Sequence, residues 1–450
     1  MMKPVSKFGL TLALLAVTTL YLADLHLANA SRQPHISRSI GPNEIEISEP
    51  VTPKLSLPVR ALPSGVQSPM LEREINPLFW HGESSKPAHP ELLDVLVPFG
   101  LNAGFTPLPL LTFEGLGTDG LAPPDPVGDV GPNHYVQMVN ISFQIWDKGD
   151  PGNGVPPSIL QPDTRFNQLF TEAGGQCETR NDGDPIVLYD DQANRWFLAQ
   201  FALGSPFALC VAISTSPDPA GTYYLYEFPM PAIPDYPKFG AWTDAYYIGT
   251  NSGLPNQYYA HALNRNAMLS GLPAARQSFG GLANFVLPAD ADGPVPPPAS
   301  SPGIFYTMYA DEFPDHPPGA DRLAVYEFAI DWQTPANSTF TLAQEIPVAN
   351  FNDQAAIRWF ELRKTGTDYS LYQEGTYAPD ANHRWMGSIA MDKSGNIALG
   401  YSITGETIKP SIRYAARQVS DPPGTLATEA ELYAGTGVQT GIVRWGDYSN

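Results

Sequence analysis

DPIVLYDDQANRWFLAQF, residues 184–201, and SIAMDKSGNIALGYS, residues 388–402, decide the fold when set side by side. In each, an apolar run ends on an aspartate (Asp190, Asp392), a short polar turn follows, and a second apolar run leaves. Apolar runs bounded by turn formers are strands. A third run follows in both: FALCVAISTS (207–216) and PSIRYAARQV (410–419). Then come DPAGTYYLYEF (218–228) and DPPGTLATEAELY (421–433), in which Asp218-Pro219 and Gly221-Thr222 match Asp421-Pro422 and Gly424-Thr425. The offset is about 203 residues throughout, so a four-strand unit recurs. Further first strands start at Asp125 (DPVGDVGPNHYVQMVN), near Gly240 (GAWTDAYYIGT) and at Gly303 (GIFYTMYADEF). No long run of helical period stands out.

Repeated units of four antiparallel strands make a β-propeller, whose closed ring hides the strand edges. The expected fold is all-β, a propeller of six or seven four-stranded blades over residues 108–450. A pair of β-sandwich domains is the alternative, and the constant offset disfavours it. The final stretch, GIVRWGDYSN (441–450), aligns with HRWMGSIAMD (383–392). It reads as the entrance to a blade whose first strand is half present, so the expectation is an incomplete last blade and a truncated chain. LLTFEGLG (110–117) is the candidate for the other half of the closure.

Upstream, residues 1–30 have Lys3 and Lys7, an apolar run from Phe8 to about Ala23, and Ala28-Asn29-Ala30. That is the pattern of a secretory signal peptide. A retained membrane anchor is disfavoured, because the run is short for a span and Asp24 and His26 interrupt its exit. Residues 31–107 are Pro- and Ser-rich and read as an extended leader or linker, with one apolar patch, ELLDVLVPFG (91–100). Without residues 1–30 the charge is −22, from 23 basic and 45 acidic residues. A chain this acidic is unsuited to nucleic acid or an anionic membrane surface. The reading is an exported, soluble monomer. Export makes a disulfide between Cys177 and Cys210, the only two cysteines, an expectation.

APPDPVGDVGPNHYVQMVN (122–140), PDYPKFGAWTDAYY (234–247), RWMGSIAMDKSGNIALGYS (384–402), PSIRYAAR (410–417) and RWGDYS (444–449) resemble stretches of a group of large exported bacterial proteins of propeller type. The resemblance covers about residues 108–450. It implies fold and export and brings no activity with it. SPDPAGTYY (216–224) and MDKSGNIALGY (391–401) resemble, more loosely, the Asp-box turns of sialidase-type propellers. The first has one residue too many before Gly221, and the second keeps Asp392 and Gly395 but lacks the tryptophan. Such turns are structural and remote from an active centre, so they speak to fold.

Four Arg-Trp pairs recur: 195–196, 358–359, 384–385 and 444–445. One reading is blade grammar, with Trp packed between blades and Arg stacked on it or paired with a turn carboxylate. The other is an anion site built from Arg358, Arg384, Arg413 and Arg444, gripping a carboxylate, sulfate or phosphate by bidentate hydrogen bonds. For a sialidase-like hydrolase, Tyr372, Glu374 and Glu361 are the candidate catalytic groups. The acidic turns offer Asp125, Asp129, Asp182 and Asp184, and Asp290 with Asp292, as oxygen ligands for Ca²⁺, against the simpler reading that Asp favours turns. No nucleophile elbow, zinc-protease helix, phosphate loop or dinucleotide fingerprint is present. The functional expectation is an exported propeller that binds an extracellular carbohydrate or other surface polymer and needs no cofactor. A sialidase-like glycoside hydrolase is the alternative.

Overall fold

Turns rich in Gly, Asn and Asp punctuate the chain so often that strands of two to ten residues are its main element. The computed structural model describes residues 44–64, 106–118, 120–121, 123–254, 257–293, 295–310, 321–349 and 355–438, with Trp445 and Tyr448. The signal-peptide segment 1–30, the patch 91–100 and Arg444 lie outside the described residues.

Two short strands, β1 (Ile45–Ile47) and β2 (Lys54–Leu55), come from the segment read as leader. The first sheet is β3 (Pro126–Val130), β4 (His134–Val139), β5 (Ser142–Asp147) and β6 (Ser158–Arg165). The second is β7 (Ile186–Asp190), β8 (Arg195–Ala202), β9 (Ala208–Ser214) and β10 (Tyr223–Pro229). The third is β11 (Asp235–Ala241), β12 (Tyr246–Asn251), β13 (Tyr258–Leu263) and β14 (Arg276–Leu282). The fourth is β15 (Leu287–Pro288), β16 (Gly303–Tyr309), β17 (Arg322–Ala329) and β18 (Thr339–Pro347). A hairpin follows, β19 (Ile357–Thr365) and β20 (Asp368–Tyr377), and then the last sheet, β21 (His383–Met391), β22 (Ile397–Thr404), β23 (Ser411–Arg417) and β24 (Ala430–Tyr433).

The fold is thus an all-β propeller in which the described residues form five blades of four or more antiparallel strands. Six or seven were expected. The difference lies at the hairpin, where β21 begins so soon after Tyr377 that no third or fourth strand fits. The repeat found in the sequence falls on the second and last blades, with β7–β10 answering β21–β24. The inner edges line up, β3 beside β7, β7 beside β11, β11 beside β15, and β19 beside β21. Residues 44–64 hold two short paired strands and a 3-10 turn at Val59–Ala61. β1 adds to the outer edge of the third blade, with Ile45 opposite Phe279, and β2 to that of the second, with Leu55 opposite Tyr224. Covering an outer edge in this way removes a row of unpaired backbone groups.

Burial follows blade stacking. All seven residues of β9, ALCVAIS, are buried, because a middle strand with blades on both faces cannot alternate apolar with polar. Trp196, Phe197 and Leu198 on the neighbouring β8 are likewise sealed, each contributing roughly 2 kcal/mol by leaving water. Cys177 and Cys210 are joined, tying a short helix, α1 (Gln176–Thr179), to β9. The stretch 110–117 forms no strand. It is held instead by side chains: Leu116 N donates to Gln137 Oε1 at 2.7 Å, and Phe113 packs on Tyr135 and Trp146 with ring centroids 6.1 and 5.7 Å away. No helix among the described residues is long and apolar enough to cross a membrane.

Candidate functional site

Aspartates at the ends of inner strands join one blade to the next. Asp129, on β3, accepts from Tyr189 N of β7 at 2.7 Å. Asp184 accepts from Tyr236 N of β11 at 3.0 Å and from Tyr448 OH at 2.8 Å. Asp190 takes two hydrogen bonds from Arg265, at 2.6 and 2.8 Å, and one from Tyr246 OH at 2.9 Å. A carboxylate can do this because it accepts several bonds at once where a turn leaves backbone amides open. Of the other candidate calcium ligands, Asp125 accepts from the Asn140 side chain and Asp182 from Leu203 N and Arg180. Among the described residues no three His, Cys, Asp or Glu side chains are grouped so that they could hold a metal ion.

The arginine expectation meets a different arrangement. Arg384 is fully buried and is divided between Asp380 at 2.8 Å and Glu429 at 3.0 Å. Arg413 shares Glu429. Arg358 pairs with Glu374 at 2.7 Å. The three guanidinium groups are therefore committed to carboxylates of their own chain. Arg384 holds Asp380 down at about 2. Stacking partners also differ from those expected: Arg358 lies over Phe360 and Arg384 over Tyr377, while Trp385 packs edge-on against Trp445. Tyr372 is exposed beneath Arg363, 3.2 Å from ring centroid to guanidinium.

The residues that do face one space are others. A cleft of about 480 Å³ is lined by Trp242 after β11, Asp290, Ala291 and Asp292 before β16, Phe360 and Glu361 on β19, and Ile389 to Met391 on β21. It lies where the inner strands meet. Most of its lining is apolar, and Trp242 is fixed by its indole N–H donating to Ser301 O at 3.1 Å. Three acidic residues, Asp290, Asp292 and Glu361, are among the lining. Glu361 is held by Arg363 at 2.8 Å and by the Gln373 amide at 2.5 Å. Asp290 accepts from Ala241 N at 2.6 Å and shares a hydrogen bond with the Asp292 carboxyl.

Crowding by the walls, and then the neighbouring Asp292 carboxyl, pushes Asp290 up to about 8. Asp292 is raised by its surroundings and by Asp191. Asp129 is raised to about 6, first by burial, with the Tyr189 and Val130 amides opposing and Asp292 and Asp191 adding to it. Asp290 and Asp292 still present open surface to water, so walls surround them without enclosing them. Desolvation and like charge both disfavour the anion. The one cation bonded to this acidic neighbourhood among the described residues, Arg265, is spent on Asp190.

Sequence reasoning had marked Glu361 for catalysis and Asp290 with Asp292 for calcium, and the structure gathers them at one mouth. Trp242 and Phe360 were missed. Each sits beside a marked residue, but an aromatic on a strand carries no sign of its own that it faces a cavity.

No protein-family model and no curated protein matches the chain. Among solved structures it is similar to an endo-arabinase from Bacteroides thetaiotaomicron, with 13% identity over 56% of this chain and 81% of the other and a TM-score of 0.23. It is similar to an α-L-arabinanase from Cellvibrio cellulosa, with 9% identity, 67% and 94% coverage and a TM-score of 0.30. An exo-β-1,3-galactanase from Phanerochaete chrysosporium gives 13% identity, 64% and 75% coverage and a TM-score of 0.26. Similarity of this degree does not carry what those proteins act on over to this chain.

Proposed function

We propose that this chain is an exported, monomeric propeller that binds an extracellular carbohydrate at the cleft between Trp242, Phe360 and β21. The observation that carries this is the lining itself, which combines apolar and aromatic side chains with the carboxyl groups of Asp290, Asp292 and Glu361. Sugars present apolar C–H faces and a girdle of hydroxyls, and such a site answers both. The test is calorimetric titration with oligosaccharides of defined length. Phe360→Ala and Glu361→Gln are expected to weaken binding by about tenfold each, the worth of one apolar contact or charge-assisted hydrogen bond, with unchanged melting. A panel in which nothing binds, or in which both variants bind like the parent, defeats the proposal.

Asp290 favours a second reading. A carboxyl that keeps its proton near neutral pH, facing the same space as a second carboxyl, is the pairing glycoside hydrolysis uses. Turnover of a fluorogenic glycoside that vanishes in Asp290→Asn, with binding kept, supports it. Turnover that persists rules Asp290 out as the acid.

A further inference from the structure

We propose that the leader strand β1 is an acid-released strap, let go when His261 takes up a proton, while the rest of the leader stays anchored. His261 on β13, Ser278 on β14 and Glu46 on β1 stand opposite one another in register. His261 and Arg276 are buried, and both reach the same Ser278 hydroxyl. Arg276 Nη1 donates to it, and it lies 2.7 Å from His261 Nδ1. A hydroxyl has one proton to give. With the guanidinium donating to its oxygen, Ser278 turns that proton to Nδ1. This assigns Nδ1 as the bare nitrogen and Nε2 as the one carrying hydrogen, donated to Thr250 Oγ1 at 2.9 Å. A second proton has to enter at Nδ1, against the Ser278 hydroxyl and the Arg276 cation behind it. The charged and titratable groups facing His261 are Arg276, then Glu46, which accepts from Arg276 Nη2 at 2.7 Å, and Tyr259 of its own strand, stacked 5.6 Å away. β12 offers the Thr250 hydroxyl, and β10 the Pro229 carbonyl, which accepts from Arg276 Nε at 3.1 Å. Glu46 is the one carboxylate bonded to this cluster among the described residues. Two buried cations on one carboxylate leave a charge uncompensated.

The part that yields is β1. It is three residues long, where β12 and β13 have six each, and it forms the outer edge of its sheet. Peeling it away removes Glu46, lets Arg276 swing into water and frees Ser278 to turn. His261 then takes its proton in a wet site. The downstream half of the leader has no share in this cluster. Ser56 N donates to Tyr223 O and Val59 N to Gly221 O, both at 2.9 Å, and Val59 is buried. Burial, then Arg276, holds His261 well below 6.5 while the strap is paired. A histidine lowered in this way lends the pairing stability at neutral pH that is lost as pH falls below the ordinary value. The result is an outer edge on the third blade that is covered at neutral pH and open in acid, with the backbone groups of β14 left to other strands.

The test is hydrogen exchange of the whole chain, followed by mass spectrometry at pH 7 and pH 5 and corrected for the intrinsic rate at each pH. With an ordinary histidine at 6.5 in the released state and no proton admitted in the paired one, release grows about 25-fold between the two pH values. The expected result is a fall in protection of about that size over residues 45–51 and 276–279, with 54–59 and 223–225 unchanged. His261→Gln removes the fall. Glu46→Gln, at a partly exposed position, lowers protection over 45–51 at both pH values and keeps the fall, because the proton goes to His261. Should His261→Gln fold poorly, the regional contrast in the parent and in Glu46→Gln still decides. Equal protection over 45–51 at both pH values overturns the inference. So does a fall shared by 54–59 and the blades, which is global unfolding. A fall that survives in His261→Gln, or vanishes in Glu46→Gln, overturns it as well.

Discussion

Replacing Arg265 with Met tests how the second and third blades are held. Arg265 stands on a short helix, α2 (Arg265–Leu269), capped by Asn264, whose side chain accepts from Ala267 N. Its guanidinium reaches across to Asp190 at the end of β7. The side chains are 9% and 2% exposed, so water cannot replace a missing partner. Removing one member of a buried pair costs about 3–5 kcal/mol, because the other charge is left uncompensated. Asp190 keeps donors in Tyr246 OH and Ala193 N, which places the expected loss near the lower end, about 3 kcal/mol. For a chain of this size that is a fall in Tm of roughly 6 °C. The double variant Asp190→Asn, Arg265→Met recovers part of the loss, because no uncompensated charge is then left buried. Thermal melts of the three proteins read this out. A single variant that melts within about 2 °C of the parent, on the same scale, refutes the reasoning.

Arg384→Met is expected to lower stability by about 3 kcal/mol or more, measured by urea unfolding, and to leave oligosaccharide affinity within about twofold. A large loss of affinity at unchanged stability instead revives the arginine anion site. His261 gives a pH signature. It is sealed between Thr250 Oγ1 at 2.9 Å and Ser278 Oγ at 2.7 Å, and burial, then Arg276, holds it well below 6.5. A histidine lowered in the folded state contributes stability that is present above the unfolded value and lost as pH falls below it. Melting temperature should drop between pH 6.5 and pH 5, and His261→Gln should flatten that limb. A limb of unchanged slope refutes the assignment.

The architecture was legible because it is a repeat. A strand, an Asp turn and a second strand recur with constant offset, and the pieces from 184 and 388 fall on corresponding strands of two blades. Periodic apolar runs encode strands locally, so one sequence suffices to see them. Blade count was less legible, because β19 and β20 look like the opening of a blade. Only the short connection to β21 shows that no blade follows. The leader's part in the fold was hidden for a similar reason. β1 and β2 are three and two residues long, and pairing of that length leaves no periodic trace; it depends on an open edge contributed by residues more than 160 positions away.

The arginines show why chemistry is harder to read than fold. Arg358 and Arg384 lie on β19 and β21, the first strands of their sheets, where a converging anion site would draw on them, and Arg413 lies on β23, the third strand of the last sheet. What decides their role is whether a carboxylate of the same chain reaches them first. Glu429 does so for two of them, from the loop before β24, 45 and 16 residues away. In a chain with 46 acidic and 25 basic residues, each arginine has many carboxylates to meet, and a buried guanidinium must take one or bear the cost of desolvation. The same excess shows at the cleft, where burial and neighbouring carboxyls raise Asp290 and Asp292. Net charge therefore carried a functional hint that no motif did. It pointed to the cations as structural, taken up by carboxylates of the same chain.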